Sequence, residues 1–258
     1  MRIFRNLRRR FFENEDSRKY FKYAFGEVVL IVIGILIALQ INNWNEGRQN
    51  RNKETVLLNQ LLQEFTNDLE QLNDKTQQRN NIIYSSKKIL EYIVNDRLDP
   101  PDSIIYYLQR SLFIPTFNTS SKDFFLARDV NLLQNDSLRA LLADWPSQVD
   151  QLVEEEQQWL DYRKNQYLPF LTEKFQARNL YNRVQDDLEM MKTIFLDKSK
   201  SFDDRIDRPR NIEDPNLLLE NDDLEDHLGF AIIAQSICNI QAETLTIHIE
   251  KIIEQIKK

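Results

Sequence analysis

Glycine, cysteine and histidine are all scarce in this chain: among its 258 residues are 4 Gly, 1 Cys and 2 His. Each scarcity excludes something. Phosphate-cradling loops, dinucleotide-binding turns and tight hairpins need glycine where the backbone takes positive φ or approaches a ligand closely. Gly26, Gly34, Gly47 and Gly229 are too scattered to build any of these. A single cysteine, Cys238, excludes an internal disulfide framework and a cysteine-based zinc site. His227 and His248 lie far apart, and neither has a second His or a Cys at ligand spacing. What is abundant is Asn, Gln, Leu, Ile, Glu and Asp, a mixture that favours helices with long polar faces.

The net charge is −7, but it is unevenly spread. Residues 1–26 carry eight Lys/Arg against Glu13, Glu15 and Asp16, a surplus of +5 that leaves −12 on the rest. An acidic body repels phosphate backbones, which sets nucleic acid aside as a partner. Between the two lies the apolar run Val28–Leu39. Extended from Tyr23 to Trp44 it gives about 33 Å of helix at ~1.5 Å per residue, enough for a ~30 Å hydrocarbon core. Aromatic residues mark both edges, with Tyr20, Phe21, Tyr23 and Phe25 before the run and Trp44 after it. The residues past the run, Gln40 to Trp44, are bulky and polar, with no small-residue cleavage site and no lipid-accepting cysteine. An uncleaved signal anchor is expected. Arg8-Arg9-Arg10-Phe11-Phe12 resembles a twin-arginine export motif, but the apolar run begins some sixteen residues later, so these arginines read as positive-inside charges. The expected layout is a basic cytoplasmic segment over 1–22, a span over 23–44 in the inner membrane, and a periplasmic domain over 45–258.

Within the span, Glu27 shares a helical stripe with Ile31, Gly34 and Ala38. The pair Gly34 and Ala38 has the small-xxx-small spacing that lets a second helix approach, and an ionisable group inside a span is expensive. Two readings stand: a packing face toward a second copy or a membrane-protein partner, or a Glu27 that snorkels to the interface beside an incidental Gly34.

Residues 18–46 resemble a family of uncharacterised Bacteroidota single-pass membrane proteins, a domain-of-unknown-function group. The resemblance runs from Lys19-Tyr20-Phe21-Lys22-Tyr23-Ala24-Phe25-Gly26-Glu27 through Val32 to Gln40 and into Asn42-Asn43-Trp44-Asn45-Glu46. A looser likeness covers Phe124 to Leu142, where Ala127-Arg128-Asp129 stands in place of the family's Ser-Ser-Gly turn. The resemblance implies location and architecture, and brings no activity.

In the body, Leu58, Leu62, Phe65, Leu69, Leu72, Ile83, Leu90 and Ile93 alternate by four and three, which predicts one long helix over 53–94. Thr76, Arg79 and Ser86 fall on its seam, so a bundle helix is expected rather than a free-standing coiled coil. Pro100 and Pro101 stop it. A short helix over 103–113 capped by Asp102, a loop over 114–121 and a turn over 122–128 follow. The next helix is expected to be capped near Asn135 or Asp136 and broken at Trp145-Pro146. Further helices are expected over 147–177, kinked at Pro169, and over 181–196. Residues 198–221 read as a long loop. Asp222 and Glu225 have capping-box spacing for a last helix of about 34 residues. Its seam is Leu224, Leu228, Ala231, Cys238, Ala242, Leu245, Ile249, Ile252 and Ile256, with Gln235 its one polar member. The fold class is therefore all-α: one N-terminal transmembrane helix, then an extracytoplasmic antiparallel bundle with long first and last helices.

Candidate chemistry is thin. His227 reads as an exposed histidine at an acidic helix start, Cys238 as a small buried hydrophobe, and Glu154-Glu155-Glu156 as a solvated face. Ten carboxylates between Asp203 and Asp226 lack the spacing of a calcium loop. Trp145, Trp159, Tyr162, Tyr167 and Phe170 could line a cleft, or form core. Asp102-Ser103-Ile104 and Asp136-Ser137-Leu138 resemble an O-glycosylation acceptor pattern and equally resemble helix N-caps. No catalytic, metal or cofactor set emerges. The expected role is a membrane-anchored periplasmic interaction or scaffold protein, with the bilayer and a homo-oligomeric or membrane-protein partner. The alternative is a sensor-like ligand-binding bundle that signals through a partner.

Overall fold

Proline first appears in this chain at position 100, and helix α1 (Glu15–Val94) runs without interruption almost to that point. In the computed structural model the residues described are 15–95, 100–119, 121, 130–175, 177–183, 199 and 214–258, and all regular structure among them is helical. The positive-inside charges at 2–10, the turn at 122–128, most of the 181–196 helix and most of the 198–221 loop lie outside the described residues. The span and the first bundle helix, expected as separate segments, are one helix. Nothing between residues 44 and 53 stops it: Gly47 is the sole weak helix former of that kind, worth about 1 kcal/mol. Asn42 donates to Glu46 at 3.0 Å, and Thr55 to the Arg51 carbonyl at 2.9 Å.

The chain divides into two units, Met1–Leu57 and Leu58–Lys258. In the first, every side chain from Lys19 to Glu46 is exposed. It holds the one helical stretch among the described residues long and apolar enough to cross a membrane, with a mean hydropathy of 2.5 over its most apolar 18 residues.

The second unit is packed. Along α1 its deepest stripe is Leu61, Phe65, Asp68, Leu72, Arg79, Ile82, Ser86 and Ile89. Phe65, Leu72, Arg79 and Ser86 of the expected seam lie on this stripe, while Leu58, Leu62, Leu69, Ile83 and Leu90 flank it, half-buried, and Leu61, Ile82 and Ile89 are buried in their stead. Asp68 and Arg79 find partners on other elements. Helix α2 (Pro101–Ser111) begins with proline at its first position, where the missing N–H costs nothing. Its N-cap is Pro100, so Asp102 sits in the first turn and does not cap. Tyr107 of α2 meets Tyr84 and Tyr92 of α1 edge-on or tilted, with ring centroids 6.1 and 6.0 Å apart.

After a 3₁₀ turn (Val130–Leu132), α3 (Asp136–Tyr162) is capped by Asn135, whose side chain accepts from Leu138 N at 3.1 Å. The expected break at Trp145-Pro146 does not occur; Pro146 lies inside the helix. An interior proline costs about 3 kcal/mol. Here the neighbouring Trp145 is 1% exposed, edge-on to Phe65 at 5.3 Å, stacked with His248 at 5.9 Å, and donates through Nε1 to Ser121 Oγ at 2.8 Å. Burying a Trp contributes on the order of 5 kcal/mol at ~25 cal/mol/Å², which offsets the proline.

The irregularity expected at Pro169 takes the form of a π turn (Arg163–Tyr167), in which Leu168 N–H donates to the Arg163 carbonyl. The wider turn suits a following ring that cannot donate and that crowds the carbonyl behind it. Helices α4 (Leu168–Lys174), α5 (Ala177–Arg183) and the single turn α6 (Asn216–Leu219) follow. The last helix, α7 (Asp222–Ile256), is capped by Asn221, which accepts from Asp223 N at 3.0 Å, in place of the expected Asp222–Glu225 box. Its expected seam is buried except Ile256, which is half-buried, and Ala234 joins it. Helices α3 and α7 pack along their length. Asn135 meets Gln255, Leu141 meets His248 and Tyr162 meets His227, so partners recede along α7 as they advance along α3.

Candidate functional site

Midway along the packed unit, the apolar core is interrupted by polar side chains that have little water to turn to. Arg79 of α1 is fully buried and pairs through Nη2 with Glu156 Oε1 of α3. The other carboxylate oxygen, Oε2, accepts from Phe117 N at 2.8 Å. Glu156 was expected on a solvated face with Glu154 and Glu155; it is 5% exposed, because it falls on the inward 3.5-residue seam of α3. Burial pushes its pKa up, while Arg79, the Phe117 N–H and Lys75 pull it down. Gln235 and Cys238 of α7 face the same layer; the Cys238 thiol feels both charges and, chiefly through burial, is pushed up to about 11. Cys238 is thus the inert buried residue expected.

Beside this layer a cavity of about 280 Å³ opens between α1, α2, the start of the following loop, the π turn and α5. Its lining is Lys75, Gln78, Gln109, Leu112, Phe113, Ile114, Arg163, Leu180 and Tyr181. The loop wall is held from two sides. Trp159 Nε1 donates to the Phe113 carbonyl at 2.9 Å and Arg163 Nε to the Leu112 carbonyl at 2.6 Å. Farther along, Thr119 and Ser121 donate to Asp68 at 2.6 and 2.5 Å, and Asn118 N to Gln71 at 2.8 Å. The loop expected over 114–121 is therefore a strap fastened to α1 and α3.

Three lining groups carry the site's chemistry. Gln109 is 2% exposed, and neither its amide oxygen nor its nitrogen has a hydrogen-bond partner among the described residues. Such a group costs about 1–3 kcal/mol unpaired. Arg163 sits at the first position of the π turn, half-buried, with burial lowering its pKa. Lys75 is half-buried; desolvation lowers its pKa more than the nearby carboxylates raise it. Sequence reasoning named none of these three. The signal available was Pro169, which marks the π turn that places Arg163.

The residues singled out from sequence lie elsewhere. Glu27, Ile31, Gly34 and Ala38 are exposed, and a Cβ added to Gly34 would meet nothing within 4 Å. Trp145, Trp159, Tyr167 and Phe170 are core, with Tyr162 half-buried among them. His227 is not the exposed residue expected: its Nδ1 is 2.8 Å from Tyr162 OH, and its ring stacks on Tyr167 at 5.2 Å and meets Phe170 at 4.6 Å. Ser103 is half-buried and Ser137 exposed, each one residue past a first-turn aspartate that is not the N-cap. Among the described residues no group of three or more His, Cys, Asp or Glu side chains is placed to hold a metal ion.

A family profile described as a family of unknown function (DUF6090) matches residues 27–98. That stretch is most of α1, from Glu27 at the edge of the apolar run through the buried stripe with Arg79 and the cavity-lining Lys75 and Gln78. No curated protein and no solved structure matches the chain.

Proposed function

We propose that this chain is a membrane-anchored, sensor-like helical bundle that binds a small ligand and passes its occupancy to a membrane partner. The observation that carries the reading is a cavity of about 280 Å³ with an apolar wall and two half-buried cations, Arg163 and Lys75, in its lining. Small-molecule sites are concave, mostly apolar and fixed by a few polar groups, and this lining has that make-up. Residues 23–44 would cross the inner membrane of a Gram-negative cell, with the basic N-terminus cytoplasmic and residues 45–258 forming an antiparallel bundle in the periplasm. Support comes from the charge asymmetry, the exposed apolar helix and the likeness to a Bacteroidota single-pass family. Output would pass through the face of Glu27, Ile31, Gly34 and Ala38, to a second copy or to another membrane protein.

A second reading, an interaction scaffold without a ligand, is favoured by the outer face of α7, where Ile233, Ile237, Ile240 and Ile247 are 38–64% exposed. Native mass spectrometry of the full chain, released from the mild detergent used to extract it from membranes, separates the two. A small molecule bound at one per chain, and lost in Leu112→Trp, supports the sensor. A bare chain associated with another protein supports the scaffold.

A further inference from the structure

Resting on the ligand-binding reading, we infer that the cavity between α1, α2, the π turn and α5 takes a small organic anion: a carboxylate on a compact apolar body, held by Arg163 and Lys75. The lining divides by chemistry. Leu112, Phe113, Ile114 and Leu180 supply apolar wall, Arg163 and Lys75 supply positive charge, and no carboxylate lies among the described lining residues. Both cations line the cavity and are partly desolvated, an arrangement that a bound anion relieves.

Two acids, Glu156 and Asp74, favour the Lys75 charge, yet burial outweighs them. Glu156 is within electrostatic reach of Lys75, but both its oxygens are taken, one by Arg79 and one by the Phe117 N–H. Arg163 spends Nε on the Leu112 carbonyl, and among the described residues no carboxylate pairs with its terminal nitrogens. That bond fixes the guanidinium plane and leaves its outer edge for a carboxylate, the acceptor whose two oxygens match a planar fork. At about 280 Å³ the space lies at the small end for organic ligands, which favours a compact body.

The test uses three near-isosteric probes on the full chain in non-ionic detergent: phenylacetate, phenylacetamide and phenethylammonium, read by thermal shift and titration calorimetry. Phenylacetate is expected to bind about tenfold or more tighter than the amide, and the cation not at all, since hydrogen bonds to charged groups contribute ~1.5–3 kcal/mol. Arg163→Gln and Lys75→Gln should each weaken phenylacetate about tenfold while leaving the amide within about twofold, which also reports that the variants are folded. Equal binding of acid and amide, or loss of both in the two variants, overturns the anion assignment and leaves a ligand-binding bundle standing. No binding by any of the three at the limit of solubility, together with a bare chain from membranes in native mass spectrometry, overturns both.

Discussion

Helix α1 meets two kinds of surroundings. From residue 19 to 46 every side chain is exposed, and the run Val28–Leu39 is apolar on all faces. From Leu61 to Ile89 only one stripe is buried and the outer face is polar. The backbone is the same; what differs is where the covering for apolar surface comes from. The second stretch carries its covering in its own chain, in α2, α3 and α7. Within its own unit the described residues give the first none, and a helix apolar all round needs a solvent as apolar as itself. The distribution of charge follows: the packed stretch can bury Arg79 because Glu156 comes with it, whereas a bilayer offers no counter-ion at all.

That contrast can be broken from either side. The largest effect is expected from Arg79→Ala, which strands Glu156 without its cation: a loss of about 3–5 kcal/mol in denaturant unfolding of the full chain in detergent. Membrane retention should be unchanged. Arg79→Met with Glu156→Leu should recover most of the loss, since a buried pair replaced by apolar side chains is often neutral. The converse is Leu36→Arg, which should cost roughly 2.5–3.5 kcal/mol of insertion and move chain from the membrane to the soluble fraction, with the unfolding midpoint unaltered. A smaller effect, about 1 kcal/mol, is expected from Asn135→Ala, which removes the side chain that caps α3.

The smallest concerns pH. Burial lowers the His227 pKa below 6.5, against the opposing pull of Asp223 and Asp226. Between the lowered value and 6.5 the unfolded chain binds a proton that the folded chain declines. Its contribution is therefore full above 6.5 and is lost as the pH falls through that window. Denaturation midpoints measured on both sides of it should show a slope that His227→Gln reduces.

How much of this was legible depends on where the partner of each residue lies. The apolar run and the α7 seam were readable because their period is local. The α1 stripe was readable in part: Phe65, Leu72, Arg79 and Ser86 fall on the expected seam, whereas Asp68 turns inward toward a partner 53 residues away. Two errors in α3 share a cause. Leu138, Leu142, Trp145, Val149, Leu152, Glu156 and Trp159 keep one unbroken four-three rhythm across Pro146. Weighing that rhythm above the proline would have kept the helix whole and placed Glu156 on its inner face. The cavity stayed hidden for a different reason: Lys75, Gln109 and Arg163 come from three elements, and no spacing in sequence relates them.

The central proposal is that one helix is covered by lipid in its first half and by its own chain in its second. Spin labels placed singly along residues 28–39 and 58–93 of the chain, on a Cys238→Ala background in reconstituted bilayers, test it through accessibility to oxygen and to a water-soluble nickel complex. The expected result is high oxygen and low nickel accessibility on every face of 28–39, giving way to a helical period over 58–93 with its minimum on the face of Phe65, Leu72 and Ile82. Nickel accessibility across 28–39, or a flat profile over 58–93, would contradict it.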